Sequence, residues 1–243
     1  MKGVVLAGGL GTRLRPLTRI TNKHLLPIYK KPMIYYPIEM LIQAGIMDIM
    51  IVTGGNNAGD FLRLIANGRE FGLSRIHYTY QEGEGGIADA LGLAKDFVEG
   101  EKVVVALGDN ILEKGIGKGV QAFARQEKGA RVFLAQVDNP SEYGIAQLDG
   151  AKIVRIVEKP QHPPTNLAVV GVYMYPADVF GIVETLEPSA RGELEITDVN
   201  NVYIQRGELE YDLVDGFWID AGESHEALLR ANVTIAQHEG VVL

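Results

Sequence analysis

Val4-Val5-Leu6-Ala7-Gly8-Gly9-Leu10-Gly11-Thr12-Arg13-Leu14 decides the fold of this 243-residue chain. The apolar run Val4 to Ala7 reads as a short buried strand. It breaks directly into glycines and ends in a guanidinium. Glycine tolerates left-handed backbone, so such a turn lets N–H groups converge on one anion. The surrounding charge has the matching sign. Residues 1–38 hold seven basic side chains (Lys2, Arg13, Arg15, Arg19, Lys23, Lys30, Lys31) and no acidic one, in a chain of net charge −8. The other residues therefore carry 16 basic against 31 acidic groups, a balance of −15. A basic opening on an acidic chain suits a compact, phosphate-rich small molecule held in a cleft. It argues against broad nucleic-acid binding, which needs an extended basic face.

Outward from this turn, short apolar runs alternate with helical patterns. Strands are expected at 3–7, 48–53, 75–80, 102–107, 131–137, 145–148, 152–157, 168–175, 209–213 and 216–219. Helices are expected at 32–44, 57–66, 87–97, 115–126, 177–186, 196–205 and 224–237. Phe61, Leu62, Leu64 and Ile65 share one helical spacing, and Ala227, Leu228, Ala231 and Ile235 another. Pro32 suits a first helical turn, and Pro37 would kink that helix or mark its true start. Alternation up to about residue 130 predicts a parallel sheet wrapped by helices, with ligand at the carboxyl ends of its strands. The stretch 131–175 is richer in strands and turns and reads as antiparallel additions. The class is α/β, a single domain with a mixed, mostly parallel sheet. Hydrophobic residues make up 47% and charged residues 22%, ordinary for a globular chain. There is no cysteine, which excludes disulfides, thiolate metal sites and a cysteine nucleophile and fits the cytoplasm. No apolar stretch approaches the ~20 residues of a membrane span, and the N-terminus lacks a secretory h-region.

The glycine turn matches neither of two familiar phosphate motifs. A dinucleotide fingerprint needs a third glycine where Leu14 stands, and a Walker loop needs Lys where Thr12 follows Gly11. What remains is Gly8-Gly9-x-Gly11-Thr12 with Arg13 and, ten residues on, Lys23. Arginine forks onto phosphate oxygens, while lysine supplies a mobile point charge. A plain left-handed turn is the alternative, and the flanking cations weigh against it. Asp109, in Leu107-Gly108-Asp109-Asn110, and Asp220, in Trp218-Ile219-Asp220-Ala221-Gly222, each end an apolar strand. Two such carboxylates meeting at one site would hold Mg²⁺ against phosphates. Taken singly, each is more simply a turn former. The five histidines show no metal spacing, and no nucleophile elbow is present.

Three separated runs carry a resemblance. They are Leu6 to Thr18 (LAGGLGTRLRPLT), Asn22 to Ile28 (NKHLLPI) and Lys31 to Pro37 (KPMIYYP). Together they closely resemble the sugar-1-phosphate nucleotidyltransferases, especially members that transfer a thymidylyl group from dTTP to glucose 1-phosphate. The resemblance extends over nearly the whole chain. It implies a Rossmann-like nucleotidyltransferase fold over 1–243, with a nucleotide-binding part mainly at 1–130 and a sugar-phosphate-binding part mainly at 131–222. It implies Arg13 and Lys23 as catalytic cations. Gly8, Gly9, Gly11, Thr12, Arg13, Gln81, Gly86 and Asp109 would bind nucleotide. Tyr143, Gly144, Glu158, Lys159, Val170 and Arg191 would bind the sugar phosphate, and Asp109 with Asp220 would bind Mg²⁺. The implied partners are a nucleoside triphosphate (dTTP, with UTP the near competitor) and glucose 1-phosphate, with no nucleic acid, no membrane and a homo-oligomeric state. Gly85 stands where many larger members have aspartate. Those members also continue with further helices beyond the position of His238. Two rival classes are a silent sugar-nucleotide sensor and a Rossmann dehydrogenase. The intact set Arg13, Lys23, Asp109 and Asp220 argues against the first, and the missing third glycine against the second.

Overall fold

The computed structural model describes residues 1–242 and every side chain among them except that of Asn56. Leu243, the last residue of the expected 1–243 domain, lies outside the described residues. In chain order the elements begin β1 (Lys2–Ala7), β2 (Pro27–Ile28), β3 (Lys31–Pro32), α1 (Tyr35–Gln43), β4 (Ile49–Gly54), α2 (Ala58–Ile65) and β5 (Ile76–Gln81). They continue with α3 (Ile87–Gly92), α4 (Lys95–Val98), β6 (Val103–Leu107), β7 (Asn110–Leu112), α5 (Gly117–Arg125), β8 (Ala130–Gln136), β9 (Gly144–Asp149) and β10 (Lys152–Glu158). β11 (Leu167–Tyr175), α6 (Val179–Val183), α7 (Ile196–Gln205), β12 (Leu209–Leu213), β13 (Trp218–Asp220) and α8 (His225–His238) complete the chain.

β1 is central because its apolar run has two buried faces. It pairs in parallel with β4 on one side and with β6 on the other. Val4 and Leu6 point into one core together with Val103 and Val105, beneath α3, α6 and α7. Val5 and Ala7 point into the opposite core with Val104 and Ala106, beneath α1, α2 and α5. Each fully buried valine among them contributes roughly 1.5–3 kcal/mol, so both layers are firmly held to the sheet. The strand order runs β5-β4-β1-β6 and then β11, so the winding reverses between β1 and β6. At that reversal the loops leaving the two strands diverge and open a crevice at their carboxyl ends.

The middle of the chain extends the same sheet. β11 is antiparallel to β6 and β8, the β9–β10 hairpin joins it through Ala168↔Ile145, and β12 adds parallel to β8. One nine-stranded sheet thus holds strands from both parts of the chain. A separate two-stranded ladder, β7 with β13, pairs Asn110 with Asp220, and a third core beneath it contains Ile28, Met33, Ile111, Ile219 and Ile235. No helix of the described residues is long and apolar enough to cross a membrane.

Several local expectations need correction. Pro32 lies in β3, and α1 begins at Tyr35, so Pro37 sits in a first turn where its missing N–H costs nothing and no kink results. The expected helix 87–97 is two helices, α3 and α4, separated at Leu93 and Ala94. Leu62 is exposed while Phe61 and Ile65 are buried, so the apolar stripe of α2 is narrower than its spacing suggests.

Candidate active site

A cleft of about 300 Å³ opens at the crevice between β1 and β6. Its floor is the turn after β1. Gly9 has φ +87° and Gly11 has φ +60°, both left-handed. A Cβ on Gly8 would meet the Gln81 side-chain oxygen at 2.6 Å, so the bare backbone gives that oxygen its room. Leu14, fully buried, anchors the far side of the turn, and Thr18 Oγ1 donates to the Gly11 carbonyl. Gly8, Gly9 and Arg13 line the cleft, whereas Gly11 and Thr12 shape the turn from behind it.

The β7–β13 ladder brings the two distant aspartates together. Ala221 N donates to the Asp109 carbonyl at 2.9 Å, which fixes Asp220 beside Asp109. Lys23 Nζ reaches Asp109 Oδ2 at 2.5 Å from the loop after the glycine turn. Gly222 completes the corner: a Cβ there would sit 2.3 Å from Asp109 Oδ2 and 2.9 Å from Lys23 Nζ. Burial pushes Asp109 up, but the adjacent ammonium of Lys23 outweighs it and holds the carboxyl well below its ordinary range. Asp220 goes the other way. Burial and then the charge of Asp109 push it up to about 7. Burial would discharge Lys23, but Asp109 and Asp220 keep it protonated beyond its ordinary range. Two carboxylates forced together at the price of one proton form a site short of one positive charge. Asp109 and Asp220 are oxygen donors and therefore fit a hard divalent cation such as Mg²⁺.

His24 is not a base for this site. Asn22 Nδ2 donates to the Ala7 carbonyl, which leaves Asn22 Oδ1 facing His24 Nδ1 at 2.7 Å. The ring therefore carries its proton on Nδ1. Burial, then the charge of Lys23, lowers its pKa to about 3.

On the opposite wall, Gly144 begins β9 and Glu158 ends β10. Glu158 accepts from Thr197 Oγ1 at 2.5 Å, and Lys159 N donates to the Tyr143 carbonyl. Lys159 adopts φ +39°, a left-handed turn that projects from the strand end. Lys159 and Arg13 line the cleft and take part in no ion pair among the described residues. Arg191, the expected second phosphate contact, also lines the cleft but shares its charge with carboxylates. Its guanidinium bonds Glu195 at 2.7 and 3.1 Å and also reaches Glu158 and Glu193. Burial opposes its charge, and these carboxylates, Glu195 first, more than restore it.

The expected pocket residue Val170 faces away. Its side chain lies in the core with Val172 and Met174, while Val169 and Gly171 line the cleft. Strand alternation makes a one-residue error a change of face. Asn110 and Trp218 carry no signal of their own in the sequence, although both lie inside the two aspartate runs. Asn110 Oδ1 accepts from Gly171 N and Trp218 Nε1, and its Nδ2 donates to Asp109 Oδ1. One amide thus ties β7, β11 and β13 to the carboxylate. Tyr143 packs edge-on against Trp218 and donates to Glu223 at 2.7 Å.

This arrangement has close parallels. A family model described as Nucleotidyl transferase matches residues 2–238. A glucose-1-phosphate thymidylyltransferase of Neisseria meningitidis is 43% identical over 235 residues, covering 95% of this chain and 81% of that protein. One from Actinoplanes is 41% identical over 243 residues, covering 99% and 80%. A Bacillus anthracis protein described as a glucose-1-phosphate thymidylyltransferase, crystallised with sucrose, superposes with TM-score 0.93 at 47% identity, covering 100% and 97%. A cleft at the reversal of a Rossmann-like sheet, these matched residues and these relatives place the chain in the nucleotidyl transferase family, and the protein is a nucleotidyltransferase.

Proposed function

We propose that the enzyme transfers the thymidylyl group of dTTP to α-D-glucose 1-phosphate, yielding dTDP-glucose and pyrophosphate. The observation that carries this reading is the corner where Lys23, Asp109 and Asp220 meet, facing the glycine turn on one side and Lys159 on the other. The names of the relatives support the substrates. A phosphate oxygen of the sugar phosphate forms a bond to the α-phosphorus as the bond to the β-phosphate bridging oxygen breaks. Pyrophosphate carries away that electron pair. A phosphate monoester, with its second pKa near ~6, is largely dianionic at neutral pH, so the nucleophile needs no base. The neutral, buried ring of His24 agrees with that.

The barrier is repulsion between two polyanions, and the chain answers it with position and charge. Asp109 and Asp220 would hold Mg²⁺, which would supply neutralisation of phosphate charge there. Arg13 projects from the glycine turn to meet charge growing on pyrophosphate. Lys23 holds phosphate oxygens near the reacting phosphorus while its contact with Asp109 fixes its angle. Gln81 and Gly86 flank the base, and Tyr143, Gly144 and Glu158 flank the sugar. Lys159 aims the attacking phosphate, and Arg191 adds to that field only by sharing its guanidinium with Glu195. The chain acts as one nucleotidyltransferase domain, in the cytoplasm and as a homo-oligomer.

Pyrophosphate release across four triphosphates and three sugar phosphates tests the reading. The highest kcat/KM is expected for dTTP with glucose 1-phosphate. UTP should follow within about tenfold, because one methyl group is worth only ~1 kcal/mol in a pocket. Release dependent on a purine triphosphate, or none with any pair, would overturn it. Asp220→Asn should weaken the Mg²⁺ dependence without unfolding the protein, and an unchanged titration would remove Asp220 from the metal site.

A further inference from the structure

Gln81 ends β5 and is almost fully buried, at 5% exposure. Its side-chain amide offers two donors on Nε2 and an acceptor on Oε1. Both donors are spent inside the protein. Nε2 donates to Asp89 Oδ2 at 2.7 Å and to the Gly86 carbonyl at 3.0 Å. Oε1 accepts from no group among the described residues and lies against the bare face of Gly8, in the cleft. Turning the amide over would set a carbonyl oxygen against a carboxylate and a backbone carbonyl, neither of which can donate. The amide therefore has one orientation, and it shows the cleft an acceptor.

The carboxylate has room only because residue 85 is glycine. A Cβ on Gly85 would meet Asp89 Oδ2 at 2.5 Å and Asp89 Cγ at 2.6 Å. The loop itself is pinned. Leu194 N donates to the Gly85 carbonyl at 2.8 Å, Ala88 N donates to the Leu194 carbonyl at 3.2 Å, and Gly86, with φ +95°, could carry no Cβ without striking that same carbonyl at 2.6 Å. Asp89, in the first turn of α3, approaches Gln81 from this fixed frame.

We propose that Asp89 is a positioning residue that sets base choice by holding the Gln81 amide with its oxygen toward the base. A lone fixed acceptor pairs with the imide N3–H of thymine or uracil. It faces the N3 lone pair of cytosine and so rejects that base. The carboxylate that does this stands in the space that a longer residue at 85 would occupy, so Gly85 and Asp89 form one device. The inference rests on the proposed pyrimidine nucleotidyl transfer and deepens it.

The experiment compares kcat/KM for dTTP and dCTP, by pyrophosphate release, in the wild type, Asp89→Asn and Gly85→Ala. Asparagine offers Gln81 a donor as well as an acceptor, so both amide orientations find a partner. The Gly85 variant pushes the carboxylate aside without removing it, and its φ lies outside the left-handed region. In both variants the dTTP-to-dCTP ratio should fall roughly tenfold or more, the worth of one charge-assisted hydrogen bond. The change should lie in the nucleotide KM, with the sugar-phosphate KM and the Mg²⁺ dependence unmoved. A lower kcat at an unchanged ratio in both variants means Asp89 only supports the loop, and the inference fails. A wild type that uses dCTP as readily as dTTP also overturns it while leaving nucleotidyl transfer intact. If the wild type transfers no nucleotide, the proposed function fails, and equilibrium binding of dTTP against dCTP judges the inference alone: equal affinities overturn it, and tighter dTTP loosened by either variant upholds it.

Discussion

Gly222→Ala adds one methyl group at the corner of the cleft and nothing else. Gly222 lies outside the left-handed region, so alanine fits its backbone and the effect is steric. The added carbon would lie 2.3 Å from Asp109 Oδ2, 2.9 Å from Lys23 Nζ and 3.1 Å from Asp109 Cβ. Ordinary contact needs 3.4 Å or more, so the carboxylate oxygen must retreat by about 1 Å. It cannot retreat freely, because Asp109 Oδ1 is held by Asn110 and Asp109 Oδ2 by Lys23. A displacement of about 1 Å within a catalytic constellation costs roughly 10²-fold in rate. Overpacking of this size costs about 1–3 kcal/mol of stability. Steady-state pyrophosphate release with a Mg²⁺ titration, alongside thermal unfolding, separates the two effects. We expect a folded protein, kcat down about a hundredfold and a weaker Mg²⁺ response. A folded Gly222→Ala enzyme with wild-type kcat and an unshifted titration would rule out control of the reaction by the Lys23–Asp109 geometry.

Arg13→Ala should lower kcat by roughly 10²–10³, as the loss of one preorganised charge donor does, with the Mg²⁺ response retained; near-normal turnover would remove Arg13 from the mechanism. Burial and then the charge of Asp109 push Asp220 up to about 7 from an ordinary 3.8, so the stability its protonated form contributes is lost as pH rises from about 4 through 7. Asp220 would have to lose that proton to hold Mg²⁺, so the rise in Tm on adding Mg²⁺ should be larger at pH 8 than at pH 6, and Asp220→Asn should abolish the difference. His24 runs the opposite way, because its folded pKa near 3 lies below the ordinary 6.5. Protons then bind the unfolded chain first, stability falls as pH drops below 6.5, and His24→Gln should flatten that slope between pH 6 and 4 in denaturant titrations.

Much of this site is visible before folding. Asp109 and Asp220 each stand where an apolar strand ends, and the glycine turn announces where an anion would sit. Their meeting is not visible, because three-residue strands such as β7 and β13 carry no periodicity to read. Val170 shows a different failure. β11 is buried on both faces, so apolar identity alone cannot say which of Val169 and Val170 faces the cleft. The ion pairs of Arg191 cannot be read ahead, because Glu193 and Glu195 look like part of the same charged loop and only the fold wraps them around it. Gly85 reads only as a departure from aspartate, while the carboxylate it makes room for lies four residues on, at Asp89. Pro32 illustrates a local rule overridden by the β2–β3 pairing, Pro27 with Pro32.

The proposed transfer requires one cation and one nucleotide to meet at the same corner. A crystal structure with Mn²⁺ and a non-hydrolysable dTTP analogue measures this directly through anomalous scattering. The expected result is a single strong peak at the carboxylates of Asp109 and Asp220, with the α-phosphate above Gly8 and Gly9 and the base against Gln81. A peak held by other residues, or a triphosphate lodged away from the glycine turn, would contradict it.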